Sequence, residues 1–261
     1  MQAFEWHRPR TIADARALLG GEAALIAGGH TLLPAMKSGL RQPDALVDLS
    51  GVPGLDGIAL EGDRLVIGAM ARHRAIETSA VVRGALPMLA DMAALVGDPA
   101  VRARGTMGGA LANNDPAADY PAAVLALNAE VRTDRRVIAA DAYFQGMFAT
   151  ALAEDEIITG VAFPCAASGY AKHRHPISRY ALAGVCVARH PAGVRVAVTG
   201  AGAGVFRWGK AEAALDGAFG VSAIEGLRPD PGDLTSDLHA SAGYRAQLCA
   251  VMLEQAVRVI A

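Results

Sequence analysis

Ala24-Leu25-Ile26-Ala27-Gly28-Gly29-His30-Thr31 is an apolar run that ends in paired glycines, and Gly105-Thr106-Met107-Gly108-Gly109-Ala110 carries a second pair further along the chain. Glycine has no Cβ, so such a loop can turn sharply and let a ligand approach its backbone. Successive N–H groups there can cradle phosphate oxygens, helped by the start of the helix that follows. Thr31 and Thr106 each add a hydroxyl donor. Two such loops suit the two halves of a pyrophosphate, although an ordinary turn is the competing reading for either loop alone. Neither is a Walker loop and neither is GxGxxG. A third cluster, Gly200-Ala201-Gly202-Ala203-Gly204, also follows a strand, but its spacing is GxGxG. Too little chain follows it to build a dinucleotide fold of βαβ units, and a flexible strand exit explains it.

Working outward, Phe4 to His7 reads as a short strand and Thr11 with Asp14 as the cap of a helix through Leu19, stopped by Gly20-Gly21. After the strand Ala24 to Ala27 comes a helical turn with Leu32, Leu33 and Met36 on one side and Gly39 as its stop. Ala45 to Leu49 is the next strand, and Glu61-Gly62-Asp63 joins Gly57–Leu60 to Arg64–Ala69 in a hairpin. Arg74 to Val82 and Leu86 to Val96 have helical spacing. A helix from Asp119 to Leu127 can start at Pro121, a hairpin turns at Asp134-Arg135 within Val131 to Ala139, and Pro164 closes a strand from Ile157 to Phe163. Cys165 to Pro176, rich in small and basic residues, marks a domain boundary. Beyond it, Tyr180 to Ala188 and Val194 to Thr199 read as antiparallel strands joined at Pro191-Ala192-Gly193, followed by a helix at Lys210–Leu215. The chain closes on a helix from Ser241 to Ile260 with Leu248, Met252, Ala256 and Val259 on one side. This order predicts an α+β protein: a two-lobed domain over 1–165, divided near 55, and a smaller domain over 166–261.

Of 261 residues, 52% are hydrophobic and 19% charged, enough for a sizeable core. A net charge of -2 with 5% aromatics argues against a nucleic-acid groove. Runs free of charge, such as Ala23 to Met36, fall short of the roughly 20 residues a membrane span needs. Glu5, Trp6 and His7 stand where a signal peptide needs an apolar stretch. Cys165, Cys186 and Cys249 lie far apart, form no CxxC and fit a reducing cytoplasm. A cytoplasmic protein is the expectation.

His30 can donate to phosphate, sit beside a ligand, or stabilise its own loop. His173 and His175 lack a third ligand nearby, so a solvated or partner-facing segment is expected there and no metal site. Asp115 and Asp119 are spaced i,i+4, but Pro116 lies between them and a helix cap accounts for one. No Gly-x-Ser-x-Gly, HExxH or Cys/His nucleophile is present, and no catalytic residue is assigned.

Ala27-Gly28-Gly29-His30-Thr31-Leu32-Leu33-Pro34-Ala35-Met36-Lys37 resembles the first flavin loop of the FAD-binding medium subunits of molybdenum hydroxylases, the family of aerobic carbon monoxide dehydrogenase, to which a domain of xanthine dehydrogenase is related. Arg104-Gly105-Thr106-Met107-Gly108-Gly109-Ala110-Leu111-Ala112 and Asp115-Pro116-Ala117-Ala118-Asp119-Tyr120-Pro121-Ala122 are similar to its second loop. The resemblance runs on through Asp155–Thr159, Gly169–Lys172, Val198–Gly202, Ala211–Leu215 and His239–Arg245. It implies an FAD-binding domain of the PCMH type with noncovalent FAD between two N-terminal lobes. Ala27, Gly28, Gly29, His30, Thr31 and Leu32, with Thr106, Gly108, Gly109 and Ala110, would hold the pyrophosphate through backbone amides. Asp119 matches a flavin-contacting carboxylate, Ile157 or Ile158 and Lys172 match contacts near the ring system, and Tyr180 matches an aromatic beside the isoalloxazine. Tyr180 also reads as a boundary tyrosine with its ring in the core. The chain departs from the family at Ala103, Ala110, Asn113-Asn114 and Ser178-Arg179.

The function so implied is an electron-transfer subunit. It would take electrons from [2Fe–2S] clusters on a small partner, while a large partner carries the molybdopterin cofactor, the whole forming a dimer of heterotrimers. A stand-alone FAD oxidase or dehydrogenase and a non-enzymatic nucleotide-binding module are the alternatives.

Overall fold

The chain starts as a small parallel sheet. In the computed structural model, which describes residues 2–260, β1 (Glu5–His7), α1 (Ile12–Ala17), β2 (Ala23–Ile26), α2 (Leu32–Lys37) and β3 (Ala45–Asp48) come first. β1 and β2 pair in parallel with either side of β3. The Thr11 hydroxyl caps α1 by accepting the Asp14 N–H at 3.0 Å. Ile26, Met36 and Leu46 close one face of the sheet, and Val47 and Leu49 the other.

A larger antiparallel sheet follows. β4 (Ile58–Glu61) and β5 (Arg64–Gly68) form the expected hairpin. Six short helices come next: α3 (His73–Thr78), α4 (Ala80–Ala85), α5 (Pro87–Ala94), α6 (Pro99–Arg104), α7 (Met107–Asn113) and α8 (Tyr120–Ala126). Then come β6 (Glu130–Thr133), β7 (Val137–Ala139), α9 (Ala140–Tyr143), the hairpin β8 (Phe144–Gly146) with β9 (Ala149–Thr150), and β10 (Ile158–Pro164). The five-stranded order is β4-β5-β10-β6-β7. β10 runs through its centre with Val161, Ala162 and Phe163 fully buried, and the helices seal it with Leu89, Met92, Leu111 and Val124.

The last sheet is an antiparallel meander of β11 (Ala167–Arg174), β12 (Ala181–His190), β13 (Gly193–Thr199) and β14 (Phe206–Arg207). α10 (Gly209–Gly217) and the long α11 (Ala242–Ile260) cover one face. α11 seats Leu248, Cys249, Met252, Leu253, Ala256 and Val257 against the sheet. It comes close because β11 has Gly169, where a Cβ would lie 2.2 Å from the Ala256 carbonyl oxygen. The opposite face of β12 and β13 gives Cys186, Ala188 and Ala197 to the core that α8 shares.

Four expectations need correction. Arg74–Val82 is two helices, because Ser79 is extended and its hydroxyl accepts the Val82 N–H, so a serine cap interrupts the apolar periodicity. Cys165–Pro176, read without a strand of its own, contains the eight-residue strand β11, whose small residues hide it while the Val-rich β12 pairs with it. The second glycine loop is largely the first turns of α7. On α11, Leu248, Met252 and Ala256 are buried as expected, but Val259 is 70% exposed, and Cys249, Leu253 and Val257 complete the buried face. α6 and the β8–β9 hairpin had no counterpart in the sequence reading. Among the described residues no helix is long and apolar enough to cross a membrane.

Candidate functional site

The chain leaves β2 at Ile26 and turns through Gly29, whose φ is +76°. At Gly28 a Cβ would lie 2.2 Å from the Arg104 carbonyl oxygen and 2.9 Å from the Gly105 Cα. The two glycine segments therefore cross backbone to backbone, and glycine at 28 is what permits it. Past the crossing, the N–H groups of Gly29, His30, Thr31 and Leu32 have no partner among the described residues. Thr31 occupies the N-cap of α2 and makes no capping bond. This loop offers a run of unspent donors ahead of a helix.

The second segment is built differently. Thr106 caps α7, its Oγ1 accepting the Gly109 N–H at 3.2 Å and its carbonyl the Ala110 N–H at 3.0 Å. Met107 donates to the Ala71 carbonyl at 3.0 Å and Gly108 to the Ala69 carbonyl at 2.8 Å. The amides of Met107–Ala110, expected from the resemblance to hold phosphate, thus have acceptors inside the protein. The reason is local: they form a capped first turn laid against the exit of β5. A Cβ at Gly108 would come within 2.7 Å of the Ala69 Cβ, so that glycine serves packing. A Cβ at Gly109 would meet only the Thr106 Oγ1 at 2.9 Å and, at 3.9 Å, the Ala27 Cβ of the first loop. Gly109 faces the gap between the segments.

That gap opens into a cleft of about 820 Å³. Ala27 to Leu32, Thr106, Gly108, Gly109, Ala110, Asp119, Ile157, Ile158 and Tyr180 all line it, and Lys172 does not. The Lys172 side chain is 1% exposed; its Nζ donates to both Asp119 oxygens, at 2.9 and 2.8 Å, and to the Leu95 carbonyl at 3.0 Å. Tyr170 also donates to Asp119. Burial pushes the Asp119 carboxyl up, while Lys172 and Tyr170 pull it back down. With three hydrogen bonds on it, Asp119 keeps about one acceptor direction for a ligand. Lys172 stands behind Asp119 as its counter-ion. Asp119 holds the N-cap position of α8 without a capping bond, and Asp115 caps only the local turn, at Ala117.

Tyr180, 48% exposed, stands at the mouth just ahead of β12. Burial, then the nearby Asp115 and Asp119 charges, push its phenol up. Ser178 and Arg179 flank it at the cleft, and Arg179, with φ +63°, donates to the Gly97 carbonyl at 3.3 Å. His30 makes no hydrogen bond among the described residues, so its loop-stabilising reading has no support. At the rim Arg136 holds the Glu156 carboxyl down to about 2, with help from Ala153 and Thr133.

His73, Tyr120, Arg41 and Phe148 also line the cleft, and sequence reasoning missed them. His73 is buried; that burial, and next the charges of His30 and Arg102, push its imidazole down to about 4. Its ring lies 5.2 Å from that of Tyr120, and its Nδ1 and the Tyr120 hydroxyl are buried without partners. Arg72-His73-Arg74 reads in sequence as a solvated charge run, so only the fold reveals this histidine. Phe148 sits in the β8–β9 hairpin that Asn114 holds through the Gly146 and Ala149 carbonyls. Among the described residues no cluster of His, Cys, Asp or Glu is placed to hold a metal.

A cleft with unspent amides at a glycine crossing, a cradle that a Cβ at Gly109 would fill, and an exposed tyrosine at the mouth fits FAD. Residues 2–166 match the family model described as the FAD binding domain in molybdopterin dehydrogenase, and the chain belongs to the family of FAD-binding medium subunits of molybdenum hydroxylases. Among its relatives is the carbon monoxide dehydrogenase medium chain of Hydrogenophaga pseudoflava, 35% identical over 97% of this chain and 96% of that one. The nicotine 6-hydroxylase medium subunit of Paenarthrobacter nicotinovorans is 36% identical over 98% and 97%. In three dimensions the chain is similar to carbon monoxide dehydrogenase from Hydrogenophaga pseudoflava that lacks the Mo-pyranopterin moiety, with a TM-score of 0.89, 34% identity and coverage of 99% and 97%. Quinoline 2-oxidoreductase from Pseudomonas putida 86 superposes equally well, with a TM-score of 0.89, 26% identity and coverage of 99% and 97%.

Proposed function

We propose that this chain is the FAD-carrying electron-transfer subunit of a molybdenum hydroxylase complex. The observation that carries this reading is the glycine crossing at Gly28 and Arg104, which sets unspent amides at the wall of the cleft. Bound there, FAD supplies reversible electron carriage. The protein's part is to bind and orient it. The amides of Gly29 to Leu32 receive the pyrophosphate, and Gly109 leaves room for it. Thr106, whose oxygen already accepts from Gly109, keeps its hydroxyl proton for donation. Asp119, fixed by Lys172 and Tyr170, orients a polar group of the cofactor. Ile157 and Ile158 give apolar wall, and Tyr180 flanks the ring system at the open end. No side chain in this scheme serves as acid, base or nucleophile.

The reading extends to a small partner with [2Fe–2S] clusters and a large partner with the molybdopterin cofactor, assembled as a dimer of heterotrimers. Full-length likeness to medium chains of multi-subunit enzymes supports it. Three free cysteines suit a reducing compartment. Residues 1–165 form the FAD-binding domain and 166–261 the smaller one; the ends of β10 at Pro164 and of the family match at 166 support that division. The test is to denature the purified complex and analyse the released cofactor and the companion chains. FAD released without covalent attachment, together with iron–sulfur and molybdenum subunits, is expected. FMN, or a flavin chain that purifies alone with its own substrate turnover, would contradict the reading.

A further inference from the structure

The turn that carries Tyr180 to the cleft is held by one imidazole. β11 ends at Arg174 and β12 starts at Ala181. Between them, His175 donates its N–H to the Tyr180 carbonyl at 2.8 Å, and Arg179 donates to the His175 carbonyl at 2.9 Å. Inside this closed loop, the Nδ1 of His175 faces the N–H groups of Ile177 and Ser178, each at 3.2 Å. Pro176 has no N–H, so these are the first two donors after the histidine. An atom facing two donors must be the bare nitrogen, which puts the proton of the neutral ring on Nε2. We propose that His175 is a positioning residue whose unprotonated Nδ1 holds Ser178, Arg179 and Tyr180 at the cleft mouth, and that protonation of this imidazole releases them. The link to the flavin rests on the reading of Tyr180 given above.

Protonation acts twice. It replaces the acceptor with an N–H aimed at two other N–H groups. It also adds a cation to a basic turn, since Arg174 precedes His175 and the Arg179 N–H donates to the His175 carbonyl, while the His239 ring from the facing loop packs edge-on at 4.7 Å. The carboxylate on that loop, Asp237, is already engaged by Arg245 and by the N–H groups of His239 and Ala240. Asp98 faces Arg179, and Asp115 and Asp119 face Tyr180, but among the described residues no carboxylate hydrogen-bonds or ion-pairs with the His175 ring itself. The Oδ1 of asparagine sits one bond from Cγ, as the histidine Nδ1 does, and it accepts hydrogen bonds without titrating. H175N therefore keeps the pin and removes the switch, while H175A removes the pin.

The experiment uses the full chain in two states. In the flavin-free chain, hydrogen exchange reads the protection factors of the Ile177 and Ser178 amides between about pH 5 and 8. In the FAD-loaded chain, flavin absorbance and fluorescence are followed over the same range, with Tyr180→Ala alongside. The wild type is expected to lose about tenfold in protection as pH falls, with a parallel flavin shift toward the Tyr180→Ala spectrum. H175N is expected to hold both signals flat, and H175A to sit at the acid value throughout. A wild type with pH-independent protection, or an H175N variant as unprotected as H175A at neutral pH, overturns the pin even if Tyr180→Ala changes the spectrum. If the amides respond but neither pH nor Tyr180→Ala moves the flavin signal, the Tyr180 reading falls and control of the cleft falls with it.

Discussion

The two glycine segments look alike in sequence and are opposites in the fold. Gly28-Gly29 sits at the end of a buried strand, turns through a positive φ, and leaves the amides from Gly29 to Leu32 unspent. Gly108-Gly109 sits inside a capped helix whose first amides are closed onto Thr106, Ala69 and Ala71. One segment presents donors; the other presents a surface and brings the first into place. A paired glycine therefore signals a close approach, but not of what. At Gly28 and Gly108 the approaching group is the protein's own backbone, and at Gly109 it is the open cleft.

This contrast can be broken at each glycine. Gly28→Val carries the largest expected effect. Its Cβ would overlap the Arg104 carbonyl oxygen at 2.2 Å, a backbone atom that cannot move aside without parting the crossing. The loss should exceed about 4 kcal/mol and lower the melting temperature by about 10 °C or more, read by thermal unfolding. Gly109→Val should leave the melting temperature of the flavin-free chain near that of the wild type. FAD affinity should nonetheless fall roughly tenfold or more, since each 1.4 kcal/mol is tenfold. If both variants unfold alike, the distinction between packing glycine and cradle glycine is lost.

His73 tests the second segment as scaffold, because its N–H donates to the Gly105 carbonyl at 3.0 Å and its ring is buried beneath it. The folded imidazole is held down to about 4, whereas the unfolded one takes its proton near 6.5. The unfolded state thus binds more protons between these values, and stability present above about pH 6.5 is lost as pH falls toward 4. The loss should reach about 3 kcal/mol in urea titrations of the flavin-free chain, and His73→Asn should remove most of that slope. A smaller effect belongs to Thr106. Replacing it with Val deletes the cap of α7 at about 1 kcal/mol, and Ser should restore most of it.

Much of this was legible in the chain. Alternation and turn residues marked β2, the β4–β5 hairpin and β12, and Thr11 marked its helix, because each signal is local. The paired glycines marked the cleft walls. What stayed hidden depends on partners far away in sequence. Lys172 pairs with Asp119 across the core, which no spacing rule connects, so a residue expected at the flavin turns out to be its neighbour's counter-ion. β11 lacks β-branched residues and is a strand because β12 pairs with it along its whole length. His73 looks solvated between two arginines and is buried because Tyr120 of α8 and the backbone at Gly105 pack over its ring. The spent amides of Met107 to Ala110 were invisible for the same reason, since two of their acceptors lie at the exit of β5.

The central claim is that the first segment holds the pyrophosphate by its amides and the second does not. The most direct measurement is a titration of isotope-labelled, flavin-free chain with FAD, following the backbone N–H resonances of both segments. The account predicts large downfield proton shifts at Gly29, His30, Thr31 and Leu32, with only small changes at Met107 to Ala110, whose hydrogen bonds persist. Large shifts confined to Met107 to Ala110, with Gly29 to Leu32 unmoved, would contradict it.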